Sequence, residues 1–175
     1  MSQDKNIQFI SADHDHQSCM ATAIAKAEQV CQLRKQRFTK LRKRIFELVW
    51  QQHKPIRAYD VLGQLQQDGR AAPPTVYRAL DFLLELGLIH RIESLNAFVG
   101  CCNPGLRHQG QFLICTACGD FAELDSTSIN AAIRHSAEHS GFEVQQLTIE
   151  IMGLCPNCKA EKADDKYKNT QLSCY

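Results

Sequence analysis

Two cysteine pairs, Cys115-Thr116-Ala117-Cys118 and Cys155-Pro156-Asn157-Cys158, constrain this chain more than any other feature. The same spacing occurs twice, with 36 residues between the pairs. Each pair follows a segment of strand character, 111–114 and 148–152, so each lies where a strand runs into a turn. A tetrahedral Zn²⁺ needs four soft donors; one CxxC turn supplies two without strain, and a second closes the site. A single pair would equally suit a redox dithiol. The repeat in so short a stretch points to a structural four-cysteine zinc site, since four inert buried thiols would leave it unexplained.

A length of 175 residues allows one domain or two small ones, and 44% hydrophobic content supports an ordinary core. No apolar run approaches the ~20 residues of a membrane span. Residues 1–17 are polar and lack the apolar stretch of a signal peptide, so the expected compartment is the cytoplasm. There the nine cysteines are expected to stay reduced and available to metal. The net charge of +1 hides an asymmetry. Lys26 to Arg57 holds ten Lys/Arg against Glu28 and Glu47, whereas from Cys101 onward six basic residues face nine acidic ones. One part suited to a polyanion is joined to a part with another task; a merely solvated basic face is the competing explanation.

In chain order, 1–17 reads as a flexible tail whose His14 and His16, with Cys19 just beyond it, could bind metal adventitiously. Ser18 is placed to cap a helix to about Lys35, with Ala23, Ile24, Ala27, Val30 and Cys31 as its apolar stripe. A second helix runs from Thr39 to about Gln52, with Arg42, Lys43 and Arg44 outward. A third spans Ala58 to Gln67. A fourth opens at Pro73-Pro74-Thr75 and ends before Gly87. Strands over 88–93 and 97–101 follow, joined across Ser94-Leu95-Asn96. Short helices followed by a β-hairpin are the plan of a winged helix-turn-helix, whose last helix enters the major groove by its N-terminal end. That end presents Thr75, Tyr77 and Arg78: hydroxyls suited to phosphates and a guanidinium suited to guanine.

Asn103-Pro104-Gly105 lies in an expected hinge over 102–110. The second part reads strand (111–115), knuckle, strand (121–124), helix (about 126–139), strand (142–152) and knuckle, with a tail over 161–175. Its helix is expected to bury Ile129, Ala132, Ile133 and Ala137. A domain of ~50 residues cannot hold a large core, so zinc and a second subunit are plausible stabilisers. The expected fold class is therefore α+β, with a winged-helix DNA-binding domain (18–101) and a small α/β dimerisation domain (111–160) carrying the four-cysteine site.

Four more potential ligands lie around the hinge: His90, Cys101, His108 and Glu123. Taken singly, His90 reads as a half-buried histidine, Cys101 as a small hydrophobe and Glu123 as the polar member of an alternating strand. Together they come from the wing, the hinge and the second domain. A metal bound by all four would fasten the domains at one angle and leave no open position for catalysis.

The chain resembles the ferric uptake regulator family, and within it the zinc-sensing branch, over about residues 20–160. The likeness is carried by Ala58-Tyr59-Asp60, Pro73-Pro74-Thr75-Val76-Tyr77-Arg78-Ala79-Leu80, Leu83 through His90, Phe112-Leu113-Ile114-Cys115 and both CxxC pairs. It implies a homodimeric winged-helix repressor with structural zinc on Cys115, Cys118, Cys155 and Cys158. It also implies a regulatory zinc on His90, Cys101, His108 and Glu123, thus two Zn²⁺ per chain, and DNA reading by Tyr59 and Arg78. The iron- and peroxide-sensing branches carry a His-rich run before the first CxxC; this chain has only His108 in Leu106-Arg107-His108-Gln109, and a thiolate ligand favours a softer metal than iron. Thr39-Lys40-Leu41-Arg42 departs from the family's Thr-Pro-Gln-Arg, and Cys102 beside Cys101 leaves two thiols for one position. The expected function is zinc-dependent repression of zinc-uptake genes at an operator, without catalysis. A thiol redox-sensing regulator and a constitutive zinc-stabilised nucleic-acid-binding module are the alternatives.

Overall fold

The computed structural model describes residues 9, 15–51, 54–67, 69, 72–105, 110–124 and 126–161. His14, His108, Cys174 and residues 106–109 of the expected hinge lie outside the described residues. Helices α1 (His16–Leu33), α2 (Lys40–Trp50), α3 (Ala58–Gln67) and α4 (Pro73–Glu85) precede the hairpin β2 (Ile89–Ile92) and β3 (Ala97–Gly100). A two-residue strand, β1 (Ile56–Arg57), joins the outer edge of the hairpin in the order β1-β3-β2. Its brevity hid it from sequence periodicity.

Local chemistry explains the boundaries. The carboxylate of Asp15 accepts the N–H groups of Gln17 and Ser18 at 3.1 and 3.2 Å, so α1 begins before the expected Ser18 cap. Thr39 caps α2 through the Arg42 N–H. Paired prolines start α4, where missing N–H groups cost nothing. Gly87, at φ +64°, ends it, and the N–H groups of Gly87 and Leu88 return to the carbonyls of Leu84 and Leu83. The α2, α3 and α4 stripes meet in one core through Ile45, Leu48, Val61, Val76, Leu80 and Leu83, with Ala27 and Cys31 of α1 against it. The Trp50 ring lies flat on Gly100, leaving no room for a β-carbon there. The first part is thus a winged helix.

The second sheet holds β4 (Gln111–Cys115), β5 (Phe121–Glu123) and β6 (Ile149–Gly153) in the order β5-β4-β6, with α5 (Thr127–His139) between β5 and β6. Strands β4 and β6 run parallel, from Gln111↔Ile149 to Cys115↔Gly153. Residues 142–148, expected as strand, make none: β4 first pairs at Ile149, so nothing extends the ladder earlier. Gln111 is fully buried and donates to the Ser126 carbonyl and Asn130 Oδ1, tying β4 to α5. No residue of α5 is buried in the single chain, contrary to its expected stripe; Phe142, Ile151, Met152 and Leu154 are also exposed. Helical turns over 156–161 follow the second cysteine pair.

The two parts share an apolar cluster in which Ile92 and Val99 of the wing meet Phe112, Ile114 and Phe121. Among the described residues, no helix is long and apolar enough to cross a membrane.

Candidate metal centres and nucleic-acid interface

Cys115 closes β4 and Cys118 lies in the turn toward β5, while Cys155 and Cys158 follow β6. Parallel pairing sets the two turns side by side: the Thr116 N–H donates to the Gly153 carbonyl at 2.8 Å. All four sulfurs lie within 4.8 Å of one another, with Cys118 and Cys155 3.7 Å apart. Backbone N–H groups point at sulfur, from Cys155 to Cys115 Sγ at 3.3 Å and from Cys158 to Cys155 Sγ at 3.5 Å. N–H groups of Cys118 and then Cys155 hold the Cys115 thiol down to about 6. The thiols of Cys155 and Cys118 push Cys158 well up. Crowded thiols behave this way: the first ionises with amide help, and the last resists because charge is already present. A soft divalent cation removes that conflict, so the donor set fits zinc. Phe9 packs against the cluster, a contact that sequence reading assigned to a loose tail.

The second cluster crosses between the two sheets. His90 of β2, Cys101 just beyond β3 and Glu123 of β5 bring one ligand atom each to within 4.8 Å of one another. His90 Nε2 lies 3.2 Å from Glu123 Oε1, the side chains being 15% and 5% exposed, and Cys101 is fully buried. Burial alone would lower the His90 imidazole; hydrogen bonds with Cys101 and Glu123, and their charge, outweigh it and lift it to about 9. A positive charge is therefore already wanted between the thiol and the carboxylate, and nitrogen, sulfur and oxygen donors together suit zinc. The Cys102 N–H donates to Glu123 Oε2 at 3.1 Å. Of the two adjacent thiols, Cys101 belongs to the cluster; Cys102 is exposed and orients the carboxylate through its backbone. The Phe112 ring meets His90 edge-on at 5.3 Å, and Gly110 leaves the space that Phe112 fills. His108 lies outside the described residues. His16 and Cys19 are within α1 and belong to neither cluster.

Thr75, Tyr77 and Arg78 are exposed on the first turns of α4, and Tyr59 is exposed at the start of α3. Tyr59 and Tyr77 are 79% and 53% exposed, unusual for aromatic rings that nothing covers and apt for a polyanion face. The basic run of α2 is less available than its sequence suggests. The Arg42 guanidinium sits 3.3 Å over the Phe82 ring and donates to the Arg37 carbonyl. Lys43 pairs with Glu28 at 2.9 Å, and Arg44 lies 3.8 Å from Glu47. The three are largely outward as expected, with Lys43 and Arg44 40% and 47% exposed, but each has an intramolecular partner.

The ferric uptake regulator family model matches residues 33–152. The chain belongs to that family. It is 38% identical over 137 residues to the zinc uptake regulation protein of Escherichia coli K12, covering 77% of this chain and 80% of that protein. Among solved structures, a zinc uptake regulator complexed with zinc and DNA superposes with a TM-score of 0.76 at 35% identity, covering 86% of this chain and 99% of that one. The holo form of XcZur superposes at 0.75 and 38% identity, covering 79% and 98%.

Sequence reasoning missed the contacts that join the two parts of this family member. The Glu150 carboxylate accepts the N–H of Glu93 at 2.6 Å and of Ser94 at 3.1 Å. Lys54 Nζ reaches the Cys118 carbonyl at 3.4 Å and Asp120 Oδ1 at 3.5 Å. No spacing rule links positions that far apart, and the partners on one side are backbone groups that carry no residue identity.

Proposed function

We propose that the chain is a zinc-responsive, DNA-binding transcriptional repressor of zinc-uptake genes, acting as a homodimer. The carrying observation is that His90, Cys101 and Glu123 converge across the boundary between the winged helix and the second sheet. Residues 18–101 serve as the DNA-binding domain, 102–110 as the hinge and 111–160 as the dimerisation domain. The exposed Phe142, Ile151, Met152 and Leu154 provide the apolar surface that a second copy covers.

Cys115, Cys118, Cys155 and Cys158 hold the structural zinc, and His90, Cys101, His108 and Glu123 the regulatory one, giving two per chain. When bound, zinc supplies a divalent charge that lets closely set anionic donors coexist and ties their segments together. At the regulatory site His90 and Cys101 give up their protons, and Glu123, already oriented by the Cys102 N–H, keeps its place. The wing is then held to β5, and the two α4 helices of the dimer face successive major grooves about 34 Å apart. Arg78 and Tyr59 read bases there, while Thr75 and Tyr77 engage the backbone. The redox alternative requires an accessible thiol of low pKa; the lowered thiol here, Cys115, is buried.

The test is Cys101→Ala in the full-length dimer. Expected are one chelator-resistant zinc per chain instead of two, an intact dimer, and loss of zinc-dependent binding to a duplex selected by the wild-type protein. Zinc-dependent binding at wild-type strength would overturn the proposal.

A further inference from the structure

The face that the second sheet turns toward the wing is one row across three strands. Glu123 of β5 pairs with Phe112 of β4, and Phe112 pairs with Glu150 of β6. Residues in register across a sheet point to the same side. Glu123 meets His90 at one end of β2, Phe112 packs on the His90 ring, and Glu150 takes the N–H groups of Glu93 and Ser94 just past the other end. The strand β2 is gripped at both ends by carboxylates from a single row. A cleft of about 470 Å³, lined by His90, Glu93, Gln145, Gln146 and Thr148 among others, opens beside it between the two parts. Beyond these carboxylates, Ile92, Val99 and Leu95 of the wing pack on Phe112, Ile114 and Phe121.

We propose that Glu150 is a positioning residue for the switch: its carboxylate docks the wing turn in the arrangement that assembles His90, Cys101 and Glu123. Glu150 has this role only if that cluster is the regulatory zinc site, as proposed above. The apolar contacts of Ile92, Val99 and Leu95 hold the wing on the sheet without setting a direction, and the two polar grips on β2 fix the angle. The form of the contact also favours it. Two consecutive amides donate to the two oxygens of one anion, a charge-assisted pair that orders only one side chain. Partial burial would raise the Glu150 carboxyl, but the Ser94 side chain and then the Glu93 and Ser94 amides outweigh it and hold it below its ordinary range. The Lys54–Asp120 pair, at 3.5 Å with both side chains well exposed, is the weaker link across the boundary.

Glu150 thus biases the joint toward the zinc-ready arrangement before the metal arrives. The test compares Glu150→Ala, Glu150→Gln and Cys101→Ala, all as full-length dimers with the four-cysteine zinc in place. Zinc affinity is measured by competition with a chromophoric chelator, and binding to a selected duplex is measured across a zinc titration. Glu150→Ala should weaken the labile zinc about five- to tenfold and shift the zinc dependence of DNA binding by the same factor. Saturating zinc should restore DNA affinity to within about twofold of wild type, and Glu150→Gln should fall between. A Glu150→Ala protein matching wild type at every zinc concentration would overturn the proposal, as would a loss of DNA affinity that saturating zinc does not repair. If Cys101→Ala kept full zinc-dependent binding, the regulatory-site assignment itself would fail. If Cys101→Ala lost it while Glu150→Ala did not shift, only the docking role would fail.

Discussion

The two clusters differ in what holds their donors together. The four thiols come from two turns that leave the same sheet side by side, so the local ladder between β4 and β6 assembles them. His90, Cys101 and Glu123 meet only because the wing docks on the second sheet through Ile92, Val99 and Phe112. A site built within one unit can stabilise that unit but cannot report on its relation to another. A site built across a boundary does the reverse: every ligand it binds acts on the angle between the parts.

Breaking that contrast starts with the thiols. Cys115→Ser should cost the second unit its fold and the dimer its interface, because structural zinc in small domains is worth about 10–16 kcal/mol. Circular dichroism and size-exclusion would show it, and a stable dimeric variant would make the two sites equivalent in kind. The regulatory site should instead be set by protons. His90 is lifted to about 9, so at pH 7 it carries a proton that zinc must displace. Affinity of the labile zinc should therefore fall as pH falls, about tenfold from pH 7 to pH 6 for the proton on His90. A competition titration that stayed flat would mean His90 is not a ligand. The smallest effect lies away from both clusters. Arg78→Ala should leave both zincs in place and cost about 1–3 kcal/mol of sequence preference. An equal loss on random duplex would mark Arg78 as a phosphate contact.

The same contrast separates what the sequence disclosed from what it did not. The CxxC repeat, the α2 to α4 stripes and the Gly87 stop are short-range signals, with periods of three or four residues that a linear reading detects. His90, Cys101 and Glu123 were singled out by their positions around the hinge and then by family likeness; singly each looked bland, and only docking of the wing gives them a common centre. Glu150, Phe9 and Lys54 had no signal, because their partners are backbone groups or distant residues. The α5 stripe is a different case. Its spacing was apparent, but no residue of α5 is buried in the lone chain, and the dimer proposed above would supply the missing surface. Arg42 shows the opposite failure: a basic residue counted for DNA is spent on Phe82 and the Arg37 carbonyl.

A single five-residue strand, β4, ends in Cys115 and carries Phe112, which touches the His90 ring. The floor of the proposed regulatory pocket is thus anchored at one end in the thiol knuckle. Loading should be hierarchical: the thiols fill first and stiffen the strand, and the second ion finds a usable pocket only afterwards. In a cell starved of zinc, the resting species would then be the dimer loaded at its thiol sites alone, ready to respond, rather than an empty chain that must first fold.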